Sequence, residues 1–297
     1  MPARHPVLRR LGQHSLRIAV TVALGGLLGA TLVRMAPGFG VDEGELDSRL
    51  SSHSIQALRQ AQPAAQNLAS FYFHYLLRLV HGDLGTSRSL ERPVVELLRE
   101  RTPETAKSVA SGLVLGWMFG LSLAIAVVMV RSWRLDLLAS LASGILLCLP
   151  AAVLALLFVL ARIPGRLLLA LIVFPNIYRY GRNLLLSSAS RPYVLTARAK
   201  GLGNFKLFLW HVLRPAAPQL LALAGVSVSV AFTAAIPVEA LCDLPGLGQL
   251  AWKAALSRDL YLLVTLTLVV AIVTLVANSL CDLLGQALST VTPEAGA

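Results

Sequence analysis

The sequence predicts an all-α polytopic membrane protein with about six transmembrane helices and one sizeable extracytoplasmic segment. Three observations carry that class. Apolar residues make up 56% of the 297 residues, charged ones 14%, and mean hydropathy is +0.70, too hydrophobic for a soluble domain of this size. Apolar runs near the roughly 20 residues a helix needs to cross about 30 Å of hydrocarbon recur along the chain. The cations cluster at the ends of those runs, so the net charge of +11 reflects the positive-inside rule and anionic lipid, and no nucleic-acid partner is implied.

Residues 1–17 read as a cytosolic tail, because Arg4, Arg9, Arg10 and Arg17 precede the first run. Residues 18–35 form the first transmembrane helix. No small-x-small cleavage site precedes Arg34, so this run reads as an uncleaved anchor. Residues 36–105 are the extracytoplasmic segment and hold nine of the fifteen acids. Within it, 51–66 reads as a polar helix, and Phe71-Tyr72-Phe73-His74-Tyr75-Leu76-Leu77 suits the membrane interface. Gly82 and Gly85 allow a tight turn. Pro93 can begin a short helix, and Thr102 or Thr105 can cap the next span after Pro103.

Residues 106–285 form a five-helix core. Its runs cover 112–130, 137–161, the interval between Arg166 and Arg179, 216–238 and 260–281. The third span carries Cys148 and Leu149-Pro150, where proline removes a backbone donor and opens a bend. The fourth is short and interrupted by Pro175-Asn176, so it needs a kink or snorkelling arginines, with Arg179 and Arg182 directed to the cytosol or the bundle interior. The fifth is rich in small residues, and Ser227, Ser229 and Thr233 are candidates for lining a passage or seam. Glu239, beside an apolar span, requires a partner or water. In the sixth, Asn278 and Asp282 stand four residues apart on one face, and Asp282 is expected to pair with Arg198 or Arg214. An even number of spans leaves the tail 286–297 cytosolic, like the N-terminus.

The loop 189–214 is the organising stretch. Arg191, Arg198, Lys200, Lys206 and Arg214 lie in it, and no acid occurs between Asp136 and Glu239. Tyr193–Lys200 reads as a short helix closed by Gly201 in the left-handed region. A second helix over 205–213 places Phe205, Phe208, Leu209 and Val212 at three- and four-residue spacing before Pro215 opens the next span.

This stretch resembles the coupling loop of ABC importer permeases of the dipeptide, oligopeptide and nickel group, which reads Tyr-Val-x-Thr-Ala-Arg-Ala-Lys-Gly-Leu and then Arg-His-x-Leu-Arg. Tyr193-Val194, Thr196 to Leu202, His211 and Leu213-Arg214 match, while Trp210 stands where the group has Arg. Two more blocks resemble the same group. One is Gly82-Asp83-Leu84-Gly85-Thr86-Ser87 with Pro93-Val94 and Arg101 to Thr105, and the other is Glu239 with Leu244-Pro245-Gly246-Leu247-Gly248. The chain departs from the group after the third span, where only Arg162 to Arg166 remain of a longer stretch, and at both ends.

The resemblance implies the type I ABC importer permease fold and alternating access. It implies an inner-membrane subunit that works with a second, related permease chain, two ATP-binding subunits and an extracytoplasmic solute-binding protein. Tyr193, Thr196, Ala197, Arg198, Ala199, Lys200, Gly201, Leu202 and Arg214 would couple to the ATP-binding subunits. Ser227, Ser229, Thr233, Glu239, Pro245 and Gly246 are candidates for the path or its outer gate. No phosphate-binding Gly-x-x-x-x-Gly-Lys-Ser/Thr occurs, so this chain is read as a non-catalytic subunit without a cofactor, and ATP and Mg belong to the partners. Cys148, Cys242 and Cys281 suggest no disulfide framework, the six histidines show no metal spacing, and no nucleophile, base and oxyanion set can be assembled. Two rivals remain at this level. A secondary transporter would place ionisable groups in mid-membrane, where this chain has almost none. A diverged half with a mainly structural role would tolerate changes to the small residues of the fifth span.

Overall fold

The computed structural model describes residues 82–291 and the isolated helical positions Val20, Thr21, Leu24, Gly25, Leu27, Thr31 and Arg78. The tail 1–17, most of span 18–35, the segments 51–66 and 71–77, and residues 292–297 lie outside the described residues. The described residues contain no strand, only an isolated antiparallel bridge between Thr86 and Pro93.

Helix α1 is Val94–Val130 and starts directly after Pro93, whose carbonyl accepts from the N–H groups of Glu96 and Leu97 at 3.1 and 3.3 Å. It runs without interruption through Pro103. The expected short helix followed by a separately capped span is therefore one element, and Thr102 and Thr105 sit inside it. Proline removes one hydrogen bond, but the helix-forming residues on both sides carry the helix past it. At 37 residues and about 1.5 Å per residue, α1 is on the order of 55 Å long, more than the bilayer core requires.

The bend expected in the third span is a full break. Helices α2 (Trp133–Cys148) and α3 (Ala151–Leu160) are bent by 97° at Leu149-Pro150, which makes a broken span or a re-entrant turn. Leu149, preceding proline, is extended at φ −85° and ψ 122°, the conformation that steric conflict with the proline ring imposes. Helix α4 (Gly165–Ala189) passes through Pro175 without a break and covers 25 residues, a spanning length, but its polar residues leave it outside the helices apolar enough to cross a membrane, so the fourth predicted span is not among them.

Helix α5 is Pro192–Ala199, with Pro192 at its first position. Helix α6, Asn204–Leu241, joins the expected second loop helix to the fifth span in one rod. The join is a π-helical stretch, Phe208–Leu213. Its wider turn comes just before Pro215, where a regular helix would crowd the ring against the preceding turn. Helices α7 (Leu247–Leu256) and α8 (Leu260–Val291) complete the order. Among the described residues, α1, α6 and residues 261–288 of α8 are long and apolar enough to cross a membrane, and α2 with α3 makes a fourth if the bent pair is one span.

Three helix ends share one closure. The N–H groups of Ile163, Leu244 and Asp259 reach back to the carbonyls of Phe158, Glu239 and Ala254 at 2.9, 3.0 and 2.9 Å. The residue before each, Arg162, Asp243 or Arg258, is left-handed, a place glycine usually fills.

The chain divides into two compact units. In the unit of residues 1–100 and 253–271, Gly82 and Gly85 take positive φ, as the predicted tight turn demands. One oxygen of the buried Asp259 accepts from Ser87 Oγ at 2.6 Å and from Ser89 N and Oγ at 3.1 and 3.2 Å. The other accepts from Leu262 N at 3.2 Å and so caps the start of α8.

The unit of residues 101–252 and 272–297 holds two apolar clusters. One gathers Val109, Leu154, Leu169, Val173, Ala231 and Val238. The other gathers Val127, Ala139, Tyr178, Leu185, Val194, Ala197, Phe208 and Val212, and so seats the loop helices on the spans. Helix α1 meets α4 along Gly112, Gly116 and Gly120. A Cβ on Gly112 would stand 2.7 Å from that of Leu169, and one on Gly120 would stand 3.0 Å from Ile177 Cγ2.

Candidate functional site

The loop after α4 is built from the inside outward. Val194 and Ala197, three residues apart, turn into the cluster and are 2% and 5% exposed. Leu207, Phe208 and Val212 anchor the start of α6 in the same cluster. The opposite face is open: Leu195, Phe205 and Trp210 are 64%, 68% and 56% exposed, with Tyr193, Leu202 and Leu209 less so. Thr196, Arg198, Ala199, Lys200, Gly201 and Arg214 are also exposed.

Of the predicted coupling residues only Ala197 is on the buried side, so its small side chain serves seating within this chain. The predicted stripe of Phe205, Phe208, Leu209 and Val212 is likewise divided, because Phe208 and Val212 are buried and Phe205 and Leu209 are exposed. Gly201 has φ +77° and no heavy atom within 4 Å of where a Cβ would stand, so the turn is strained for other residues but sterically open. Arg214 lies over the Trp210 ring at 5.2 Å, which gives the Trp in place of Arg a cation–π role. The exposed face thus combines large apolar side chains with cations, over a seat of buried apolar residues.

The predicted path and gate residues do not form one group. Ser227 is buried, accepts from Trp117 Nε1 at 3.0 Å and donates to the Ala224 carbonyl at 2.8 Å. Ser229 accepts from Asn278 Nδ2 at 3.1 Å, which ties α6 to α8. Thr233 and Pro245 are exposed.

Glu239 and Gly246 do come together. Glu239 is fully buried, and its Oε2 accepts from Gly248 N at 2.7 Å and from Thr105 Oγ1 at 3.1 Å. Thr105 Oγ1 in turn accepts from Leu247 N at 2.7 Å. The first amide groups of α7 are thus satisfied by side chains from α6 and α1. Gly246 leaves the room that this approach needs, since a Cβ there would be 2.5 Å from Thr105 Oγ1 and against the carboxylate. Glu104 beside this junction is ion-paired with Arg166, and Arg101 donates to Gln249 Oε1 at 3.2 Å.

The expected pairing of Asp282 does not occur. It is exposed, and among the described residues it forms no ion pair with Arg198 or Arg214. Helix α8 turns it outward while Asn278 faces α6. Arg182 instead pairs with Asp136, and Arg179 is exposed. The sequence reading does not single out Gly112, Gly116 and Gly120, although their spacing of four was a visible sign of a close helix contact. No group of three or more His, Cys, Asp or Glu side chains suited to a metal ion occurs among the described residues.

The profile of the binding-protein-dependent transport system inner membrane component family matches residues 112–290, which include the loop and Glu239 but not Thr105. The chain belongs to this family. It is a multi-pass membrane permease subunit of a transport system. The oligopeptide transport system permease protein OppB of Escherichia coli K12 is 28% identical over 220 residues, covering 67% of this chain and 72% of the relative. The dipeptide transport system permease protein DppB of Lactococcus lactis subsp. cremoris is 23% identical over 297 residues, covering 94% and 95%. The permease also shares its fold with a structure of the MetNI methionine ABC transporter in inward-facing conformations, with a TM-score of 0.57 at 20% identity over 65% of this chain and 96% of that one.

Proposed function

We propose that this permease is one half of the translocation path of an ATP-driven importer for peptides or a similar small solute. The observation that carries the proposal is the central loop, whose buried side is seated in the apolar cluster of α1, α2, α4 and α6 and whose exposed side presents Leu195, Phe205 and Trp210 among cations. That surface takes a groove on a cytosolic ATP-binding subunit, and a second, related permease chain supplies the other half of the path and the other loop. ATP and Mg are held by the two ATP-binding subunits. An extracytoplasmic solute-binding protein delivers the ligand, and both termini of the permease are cytosolic. Closure of the ATP-binding subunits presses on α5, and the seat formed by Val194 and Ala197 passes the movement to the spans as a largely rigid shift. The relatives named for oligopeptide and dipeptide transport support the solute class.

The test is uptake of a labelled peptide mixture by proteoliposomes that contain the purified assembly, with internal or external ATP and with the ion gradients collapsed by ionophores. Uptake that follows ATP on the cytosolic side and survives the ionophores is expected. Uptake abolished by the ionophores and indifferent to ATP would replace the reading with an ion-gradient transporter.

A further inference from the structure

The permease has one acid between residues 105 and 238, Asp136, in a region that carries twelve arginines and lysines. That acid engages one of them, Arg182. Arg182 Nε donates to Asp136 Oδ1 at 2.5 Å, Nη2 donates to Oδ2, and Nη1 donates to Asn183 Oδ1 at 3.1 Å. The pair is bidentate, so it fixes direction as well as distance. Both side chains are partly shielded, at 22% and 32% exposure.

Its place in the fold gives the contact a purpose. Helix α2 is a rod broken at both ends: left-handed Arg131 precedes it, and the 97° bend at Leu149-Pro150 follows it. With no straight helical continuation at either end, its orientation depends on what holds its side. Ala139, one turn from Asp136, packs in the cluster that also contains Tyr178 and Leu185 of α4 and Val194 and Ala197 of α5. The pair is therefore the polar fastening of α2 to the same α4 segment on which the coupling helix is seated.

We propose that Asp136 and Arg182 are positioning residues that make α2 move as one body with α4 and the coupling helix. This rests on the proposed coupling to ATP-binding subunits. An apolar contact alone lets a rod slide and roll, whereas the two parallel hydrogen bonds hold its angle. Movement pressed onto α5 then reaches the bent α2–α3 pair without loss.

The experiment places spin labels at the exposed Ile145 of α2 and Leu186 of α4, away from the exposed face of the loop, with Cys148, Cys242 and Cys281 replaced by alanine. Their separation is measured by pulsed electron resonance in nanodiscs, for the chain alone and for the assembly with and without vanadate-trapped ATP. The native permease is expected to give one narrow distribution unchanged by nucleotide. Asp136→Asn broadens it, Arg182→Lys broadens it less, and the exchange Asp136→Arg with Arg182→Asp narrows it again. In the assembly, Asp136→Asn keeps its ATP-binding subunits but takes up roughly tenfold less labelled peptide per ATP hydrolysed, the scale of losing one charge-assisted hydrogen bond. A native-like width in both Asp136→Asn and Arg182→Lys, or an exchange variant that stays broad, overturns the proposal. If no ATP-binding subunit accompanies the native chain, the importer reading fails, while the widths for the chain alone still decide the role of the pair.

Discussion

Thr105 Oγ1 donates to Glu239 Oε2 at 3.1 Å, joining two residues 134 positions apart in the chain. Together they satisfy the N–H groups of Leu247 and Gly248 at the start of α7. Glu239→Ala leaves the Gly248 N–H and the Thr105 hydroxyl buried without an acceptor, which costs about 1–3 kcal/mol. Glu239→Gln retains an amide oxygen as acceptor and loses less. Thermal unfolding in detergent should rank the variants with native above Gln and Gln above Ala. Equal midpoints for all three would remove the junction from the account.

Gly112 and Gly116 lie on the same face of α1 but under different constraints. A Cβ at 112 meets Leu169 Cβ at 2.7 Å and the Ala170 amide at 3.3 Å, while one at 116 finds ordinary contacts from 3.5 Å outward. Gly112→Ala is expected to push α4 away and destabilise by about 1–3 kcal/mol. Gly116→Ala should be neutral or gain up to about 1 kcal/mol of helix propensity. The same unfolding measurement checks both.

The loop was legible in the sequence because its signals are local. Gly201 marks the turn that closes the expected helix Tyr193–Lys200, and the structure places a helix at Pro192–Ala199 with Gly201 at positive φ. Local signals misled at Pro103 and Pro215, since proline disfavours a helix without forbidding it. The residues around Pro103 carry α1 onward, and the π-helical stretch makes room before Pro215. At Pro150 the same residue ended the helix, and the expected bend is a 97° break between two helices. The partners of Glu239, Asp136 and Ser229 were not legible, because residues tens of positions apart meet only through the packing of whole helices. Asp282 shows the limit from the other side: its spacing from Asn278 was right, but the direction α8 turns it was not readable.

Arg162 is exposed and left-handed at φ 56°, at the closure after α3. Arg162→Gly removes the crowding of a Cβ in that conformation, and the expected change is a gain of a few tenths to about 1 kcal/mol, reduced by the greater freedom of the unfolded chain. A lower unfolding midpoint would mean that the arginine side chain contributes more than the strain it imposes.

The central claim is that the exposed face of the loop docks ATP-binding subunits. Gly201→Arg adds bulk at a sterically open point, but its φ of +77° strains any side chain, so Leu195→Asp on the exposed face of α5 is the unstrained companion variant. The decisive measurement is co-purification of tagged native and Gly201→Arg permease from mild detergent, with Leu195→Asp alongside and with the accompanying chains and their ATP hydrolysis quantified. The account predicts that ATP-binding subunits and a second permease accompany the native chain, and that both variants keep the permease but lose the ATP-binding subunits. Native and variant chains retaining the same ATP-binding subunits, or the native chain purifying stably with none, would contradict it.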